Sequence, residues 1–431
     1  MSIPIVEKIR GQKLISSRQG VGAGSIYLAL SLGITGVFTY GFQILSAYFL
    51  RLEDYGVIAT LWSATFLVAQ ILWIGITQTL AKYIPEREAK AESWLPVLRS
   101  VRHLQYIVLA IFILVTLVTF PLLTERIFAH EPIITAVFIM AVAGYSFSYF
   151  KRGVLSGYKK FSHVGLMFIT ESCSRLLLSV GLLLIGLGLT APGIGIAIAP
   201  FLSVLLVRTK IDVPQAGGSE HFSIGKAFRF ATPVLVCMAC AQLLANGGPI
   251  MISALGGPNA QAQAGLLLAG LVLTRIPQYV LSPVMSNLLP HLSEMIAKGD
   301  HRKFNNFVKI AALALGAMGG ILVAGFWLMG TFAMSLMYKP EYRLSRGLLT
   351  VLALGAACYL FNEFMNQVLF AKSRTRLASL SWILGIVVTL AATLMISADP
   401  LHRVAYALAI GTLSTSIFLI LSHLVTRPSQ M

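Results

Sequence analysis

Apolar runs of 15 to 26 residues, separated by short polar turns, fill the chain from Ile26 to Val425. About 20 apolar residues in a helix cross the hydrocarbon core of a bilayer, so the pattern predicts twelve spans. The first six lie near Ile26–Leu50, Val57–Leu80, Tyr106–Leu123, Ile133–Phe150, Val164–Leu187 and Gly193–Val207. The second six lie near Ala231–Leu255, Ala264–Leu289, Phe307–Leu328, Leu348–Phe370, Leu377–Ile396 and Val404–Val425. The sixth is the shortest and contains Pro200.

Composition agrees. Of 431 residues, 57% are hydrophobic and 11% charged, and mean hydropathy is +0.81. A soluble chain carries roughly a quarter charged residues. The predicted class is an all-α integral membrane protein.

Charge orients it. Twenty-five Lys and Arg residues fall in one alternate set of loops, from Lys8 through Lys151 and Arg152 to Arg427. Only Arg51, Arg126, Lys339, Arg343, Arg346 and Arg403 fall in the other set; Arg175 and Arg275 lie inside spans. Basic loops stay in the cytoplasm, which predicts both termini there. The net charge of +17 is then mostly orientation charge facing the anionic inner leaflet, and no nucleic-acid partner is expected. The first 25 residues show no separate apolar core with a cleavage site, so the first span is expected to be the anchor. Ile3–Ile15 reads either as a small interfacial helix or as a basic tail.

The chain divides into two halves, 1–212 and 213–431, joined by a Pro- and Gly-containing stretch, Arg208–Arg229. Arg51-Leu-Glu-Asp-Tyr-Gly56 leads into the second span as Gly256–Gly265 leads into the eighth, a shift of 209 residues. A shift of 214 lays Val154–Lys160 on Val368–Arg374. Six being even, both halves share one orientation, the parallel-repeat plan with substrate between two bundles. A generic likeness among basic-ended membrane helices is the competing account.

Four ionisable groups lie deep in the spans: Glu171, Arg175, Arg275 and Glu363. Each costs about 2.5–3.5 kcal/mol on insertion scales, so each faces a cavity or a partner. Glu171 and Arg175 stand four apart on one helical face, a self-neutralising pair or a functional one. Arg275 has no acid among Leu271, Val272, Gln278 and Tyr279, while Pro277 and Pro283 interrupt its backbone ladder. Freed carbonyls at that depth line cavities, and a guanidinium grips phosphate bidentately. Tyr359, Asn362, Glu363, Asn366 and Gln367 form a polar stripe, with weaker polar sets at Gln242 and Asn246 and at Gln70, Thr77 and Gln78. These amides suit sugar hydroxyls or act as interhelical glue. Glu363 reads as a proton-titrating coupling acid or as the counter-charge of Arg275.

No P-loop, Ser/His/Asp arrangement or metal-ligand spacing occurs, and no cofactor is expected. Cys237-x-x-Cys240 has no neighbouring His or acid, which favours small interface residues over a redox or metal pair.

Tyr48–Val57, the span ending Gly75–Ile84, and Val154–Phe161 resemble the polysaccharide-transporter (O-antigen, Wzx-type) flippases of the multidrug/oligosaccharidyl-lipid/polysaccharide exporter superfamily. The resemblance covers nearly all twelve spans. It implies two six-helix lobes around a central cavity, not an enzyme. It also implies a polyprenyl-(pyro)phosphate-linked oligosaccharide moved from the inner to the outer leaflet by alternating access. Arg275 would meet the diphosphate, with Arg175, Gln78, Gln242, Asn246, Tyr279, Asn362 and Asn366 lining the cavity and Glu363 and Glu171 as coupling or counter-charge groups. A prokaryotic cell membrane, and a glycan polymerase or glycosyltransferases as neighbours, follow as expectations. The alternative is an H⁺- or Na⁺-coupled small-molecule exporter on the same scaffold. A membrane glycan polymerase, ligase or acyltransferase would need a sizeable outer loop or a buried catalytic His, and neither is evident; a non-transporting scaffold would leave the buried charges unexplained.

Overall fold

A computed structural model describes residues 4–89, 92–209 and 224–425, without the side chains of residues 4–26, 89, 224–231, 233, 234, 279, 282–284, 286, 287 and 290. All regular structure in the described residues is helical. The first half comprises α1 (Pro4–Phe49), α2 (Leu52–Ala89), α3 (Leu95–Val118), the short α4 (Phe120–Arg126), α5 (Pro132–Gly157), α6 (Phe161–Leu184) and α7 (Thr190–Leu206). The second comprises α8 (Ile224–Leu255), α9 (Ala260–Thr274), α10 (Ile276–Ala297), α11 (His301–Met337), α12 (Arg346–Ala371), α13 (Thr375–Met395) and α14 (Pro400–Val425).

Ten of these are long and apolar enough to cross a bilayer, and α7 and α9 are shorter apolar helices. The twelve expected spans fall on these helices, with two changes: the third runs past the end of α3 into α4, and the eighth is two helices, α9 and α10, meeting at Arg275. Pro277, second in α10, has no N–H, so the Leu273 carbonyl loses its helical donor and the ladder breaks there. The Arg208–Arg229 linker falls largely outside the described residues. Of the stretch Ile3–Ile15, Ile3 lies outside the described residues, and the rest is no separate element, because α1 is continuous from Pro4 to Phe49.

Two lobes follow from the packing. In the first, α1 lies on α6, α2 on α5, and α7 on both α5 and α6; in the second, α12 joins α11 and α14 while α13 joins α8 and α14. Small residues let these backbones close up, since helices in lipid gain from packing rather than from burial. A methyl group on Gly411 would lie 3.1 Å from the Gly385 carbonyl, and one on Gly385 3.2 Å from that of Gly411. Trp73 Nε1 donates to the Val142 carbonyl at 3.0 Å, and Thr77 Oγ1 to that of Tyr149 at 2.7 Å, locking α2 to α5.

The outward faces are apolar. Ile321, Leu336, Val118 and Leu394 are 73–84% exposed, a surface suited to acyl chains and costly in water.

The lobes meet where α2 packs on α8 and α9, and α1 on α10. Gly56 lies against the backbone of Gln261, while a methyl on Gly265 would sit 3.0 Å from the Leu52 carbonyl and 3.2 Å from Gly56 Cα. The shift of 209 carries Leu52 to Gln261 and Gly56 to Gly265. This contact is reciprocal, as an axis along the membrane normal between related halves requires. Around it Thr60 and Ser253 hydroxyls stand 2.8 Å apart, and Tyr55 meets Tyr342 edge-on at 5.6 Å. Burial raises the Tyr342 hydroxyl above the usual phenol range, with Glu341 and Tyr338 adding to it.

Candidate functional site

Arg275 caps both α9 and α10, with φ −95° and ψ 4°, the bridge conformation of a turn. Thr274, the last residue of α9, folds its hydroxyl back to the Gly270 carbonyl at 3.0 Å, a back-bond that favours a bend. The break places Arg275 between the lobes. It lines a cavity of about 40 Å³ with Tyr40, Gln43 and Trp62 of the first lobe and Asn246, Leu268 and Val272 of the second. It also lines a cavity of about 20 Å³ inside the second lobe, beside Tyr359, Gly355 and Thr412. Water needs roughly 10–15 Å³ of such space, so these volumes admit water but no sugar ring. The lobes are closed around Arg275 in this conformation. An apolar groove of about 760 Å³ between α11, α12 and α14 lies elsewhere.

Tyr359 connects Arg275 to the polar stripe. It lines a cavity with Arg275 and lies one turn from Glu363 on α12. Asn246 shares the interlobe cavity and donates to Gln242 Oε1 at 2.7 Å. Other stripe members tie helices together: buried Asn362 donates to the Thr412 carbonyl at 2.9 Å and accepts from Ser416 at 2.7 Å. Asn366 accepts from the Cys237 thiol at 3.1 Å, so Cys237 packs against α12. Gln78 is exposed on α2, and the side chain of Tyr279 lies outside the described residues.

Glu171 and Arg175 occupy a second centre inside the first lobe, 4% and 3% exposed. One Glu171 oxygen accepts from Tyr145 at 2.9 Å and Arg175 at 3.3 Å. The other accepts from Ser148 at 3.4 Å and from Arg152. Two guanidiniums thus share one carboxylate, and aromatic faces take up the excess charge. Arg152 lies 4.1 Å from the Phe168 ring centre, and Arg175 4.8 Å from that of Trp62. Trp62 therefore has Arg175 on one side and contributes to the Arg275 cavity on another.

Arg152 corrects the loop reading. It is 6% exposed and belongs to the buried centre, not to the cytoplasmic surface. The orienting asymmetry survives its removal. Its helical spacing from Tyr145 and Ser148, at i+7 and i+4, marks the shared face. Tyr40, Gln43 and Trp62 are further cavity residues that sequence reasoning missed; Gln43, a polar group within the first span, was the available signal.

The two-lobed helical fold is shared with solved transporter structures. An inward-facing multidrug-resistance MATE transporter of the MOP superfamily superposes with a TM-score of 0.67 at 12% identity, over 93% of this chain and 97% of that one. The eukaryotic MATE transporter AtDTX14 gives 0.66 at 15% identity, over 96% and 97%. By sequence, the chain belongs to the polysaccharide biosynthesis protein family, which matches residues 21–296. Two uncharacterised Mycobacterium tuberculosis proteins, from strains CDC 1551 and H37Rv, are each 26% identical over 302 residues. The match spans 67% of this chain and 66% of theirs, just under two thirds of their length.

Proposed function

We propose that the protein is a flippase. It carries a polyprenyl-(pyro)phosphate-linked oligosaccharide from the inner to the outer leaflet of the cell membrane, for cell-surface polysaccharide synthesis, with both termini cytoplasmic. Residues 1–212 and 213–431 are the two bodies whose rocking gives alternating access. The observation that carries this reading is Arg275, held at a helix break where the lobes meet. A guanidinium there binds a diphosphate bidentately in a poorly hydrated site. Asn246, Gln43 and Trp62 offer amide and aromatic surface to the adjoining sugar once the lobes part. Membership of a polysaccharide biosynthesis family supports the cargo class.

Deleting the gene should accumulate lipid-linked glycan facing the cytoplasm, and wild-type but not Arg275→Ala protein should clear it. Normal flipping by a correctly inserted Arg275→Ala variant would refute the clamp. A second reading, an H⁺- or Na⁺-coupled exporter using Glu363, draws on the Tyr359–Glu363 pair and the MATE fold. Resistance to toxic organic cations on expression would favour it.

A further inference from the structure

The seam at the Gly56 end of the bundle has no clearance. The Gly56 α-carbon faces the Gln261 peptide, and a methyl group placed on it would run into that carbonyl and stand 3.1 Å from Gln261 Cα. Gly265 has slightly more room: its methyl would meet the Leu52 oxygen at 3.0 Å and the Gly56 nitrogen at 3.1 Å. All of these neighbours are backbone, which yields only if one helix moves as a body. The two helices belong to different lobes. Thr60 and Ser253 close the same seam with a hydroxyl contact of 2.8 Å. Tyr55, fully buried, seats against Tyr342 of the opposite lobe, and Lys339 stands 5.2 Å from the Tyr48 ring centre.

From this geometry we infer that Gly56 and Gly265 form the outer gate of the transport path, a backbone-to-backbone latch that holds the lobes closed toward the outside. The inference rests on the alternating-access reading and on the orientation given by the basic loops. Packed interfaces shift between discrete arrangements rather than deforming continuously. An added methyl therefore raises the free energy of the outward-closed state and leaves the parted state untouched, shifting the population. The geometry also ranks the two sites: Gly56→Ala acts more strongly than Gly265→Ala.

The test uses the full-length protein with Cys173, Cys237, Cys240 and Cys358 replaced by alanine and with Ser253→Cys as reporter. Ser253 is 4% exposed in the closed seam, at the edge of an outer concavity of about 410 Å³, so a membrane-impermeant maleimide labels it slowly until the gate parts. Gly56→Ala should raise the labelling rate from outside intact cells by about tenfold, a shift of about 1.4 kcal/mol, and Gly265→Ala should raise it by a smaller factor. Gly325→Ala, on α11 with open space around its α-carbon, should leave it unchanged. If Gly56→Ala fails to insert, Gly265→Ala decides the question alone. Unchanged labelling in correctly inserted variants, or equal acceleration by Gly325→Ala, would overturn the latch. Acceleration seen only in inverted vesicles would overturn the assignment of this seam to the outer side. No cargo is needed, so a failure here leaves the flippase reading to its own experiment.

Discussion

Arg152 reaches across from α5 to pair with Glu171 on α6, two buried groups 19 residues apart in sequence. Arg175 completes the set from the next turn of α6. Removing one member of a buried ion cluster strands the rest, which costs about 3–5 kcal/mol where no counter-charge remains.

The centre therefore predicts an order of stabilities. Glu171→Gln leaves two guanidiniums without a carboxylate and should lower the unfolding temperature in detergent markedly. Arg152→Met leaves the one-to-one Glu171–Arg175 pair and should cost less. Thermal unfolding followed by tryptophan fluorescence checks the order; a larger loss for Arg152→Met would contradict the shared-carboxylate description.

At the helix break, charge and shape separate. Arg275→Ala should reduce flipping at least about a hundredfold, the scale of two lost charge-assisted bonds at 1.5 kcal/mol each. Arg275→Lys keeps the charge without the fork and should fall between the two. Initial rates of glycolipid translocation in proteoliposomes measure both. Equal rates for Lys and Ala would show that the fork, not the charge, matters.

Pro277 tests whether the break itself is needed. Pro277→Ala restores a donor for the Leu273 carbonyl and should leave the unfolding temperature unchanged or raised. Translocation should nevertheless fall, because a straighter span turns Arg275 away from the seam. Retained transport with raised stability would make the kink incidental.

Asn362 illustrates the opposite case. Its amide nitrogen and oxygen are both engaged between α12 and α14, so Asn362→Ala should cost about 0.6–1.7 kcal/mol and leave the apparent cargo affinity unaltered. A changed affinity with unchanged stability would return it to the cargo site.

The fold was legible because lipid imposes one rule, that spanning backbone must satisfy itself within helices. Length and loop charge then suffice for spans and direction. The break at Arg275 was visible through Pro277. Other features were not. Asn362 and Arg275 are both polar groups inside apolar spans, and sequence gives them equal claims on a cavity. Only the packing separates them, since α14 covers Asn362 whereas two lobes meet over Arg275. Arg152 went unseen for a related reason. An arginine near a span end can reach polar headgroups or turn inward, and the choice rests with Glu171 on a different helix. Trp62 gave no signal at all, because an aromatic residue in an apolar run looks like any other packing group.

One element is held from a single side. Helix α11 rests chiefly on α12, while Ile310, Leu313, Ile321 and Leu336 along it stay 65–76% exposed. A spectroscopic tag on that rim would ride with the second lobe as a passenger, touching neither the cation nor the seam. Paired with a tag on the similarly bare Val118 of α3, 74% exposed, it offers a ruler across the molecule on which the proposed rocking of the lobes would read out directly.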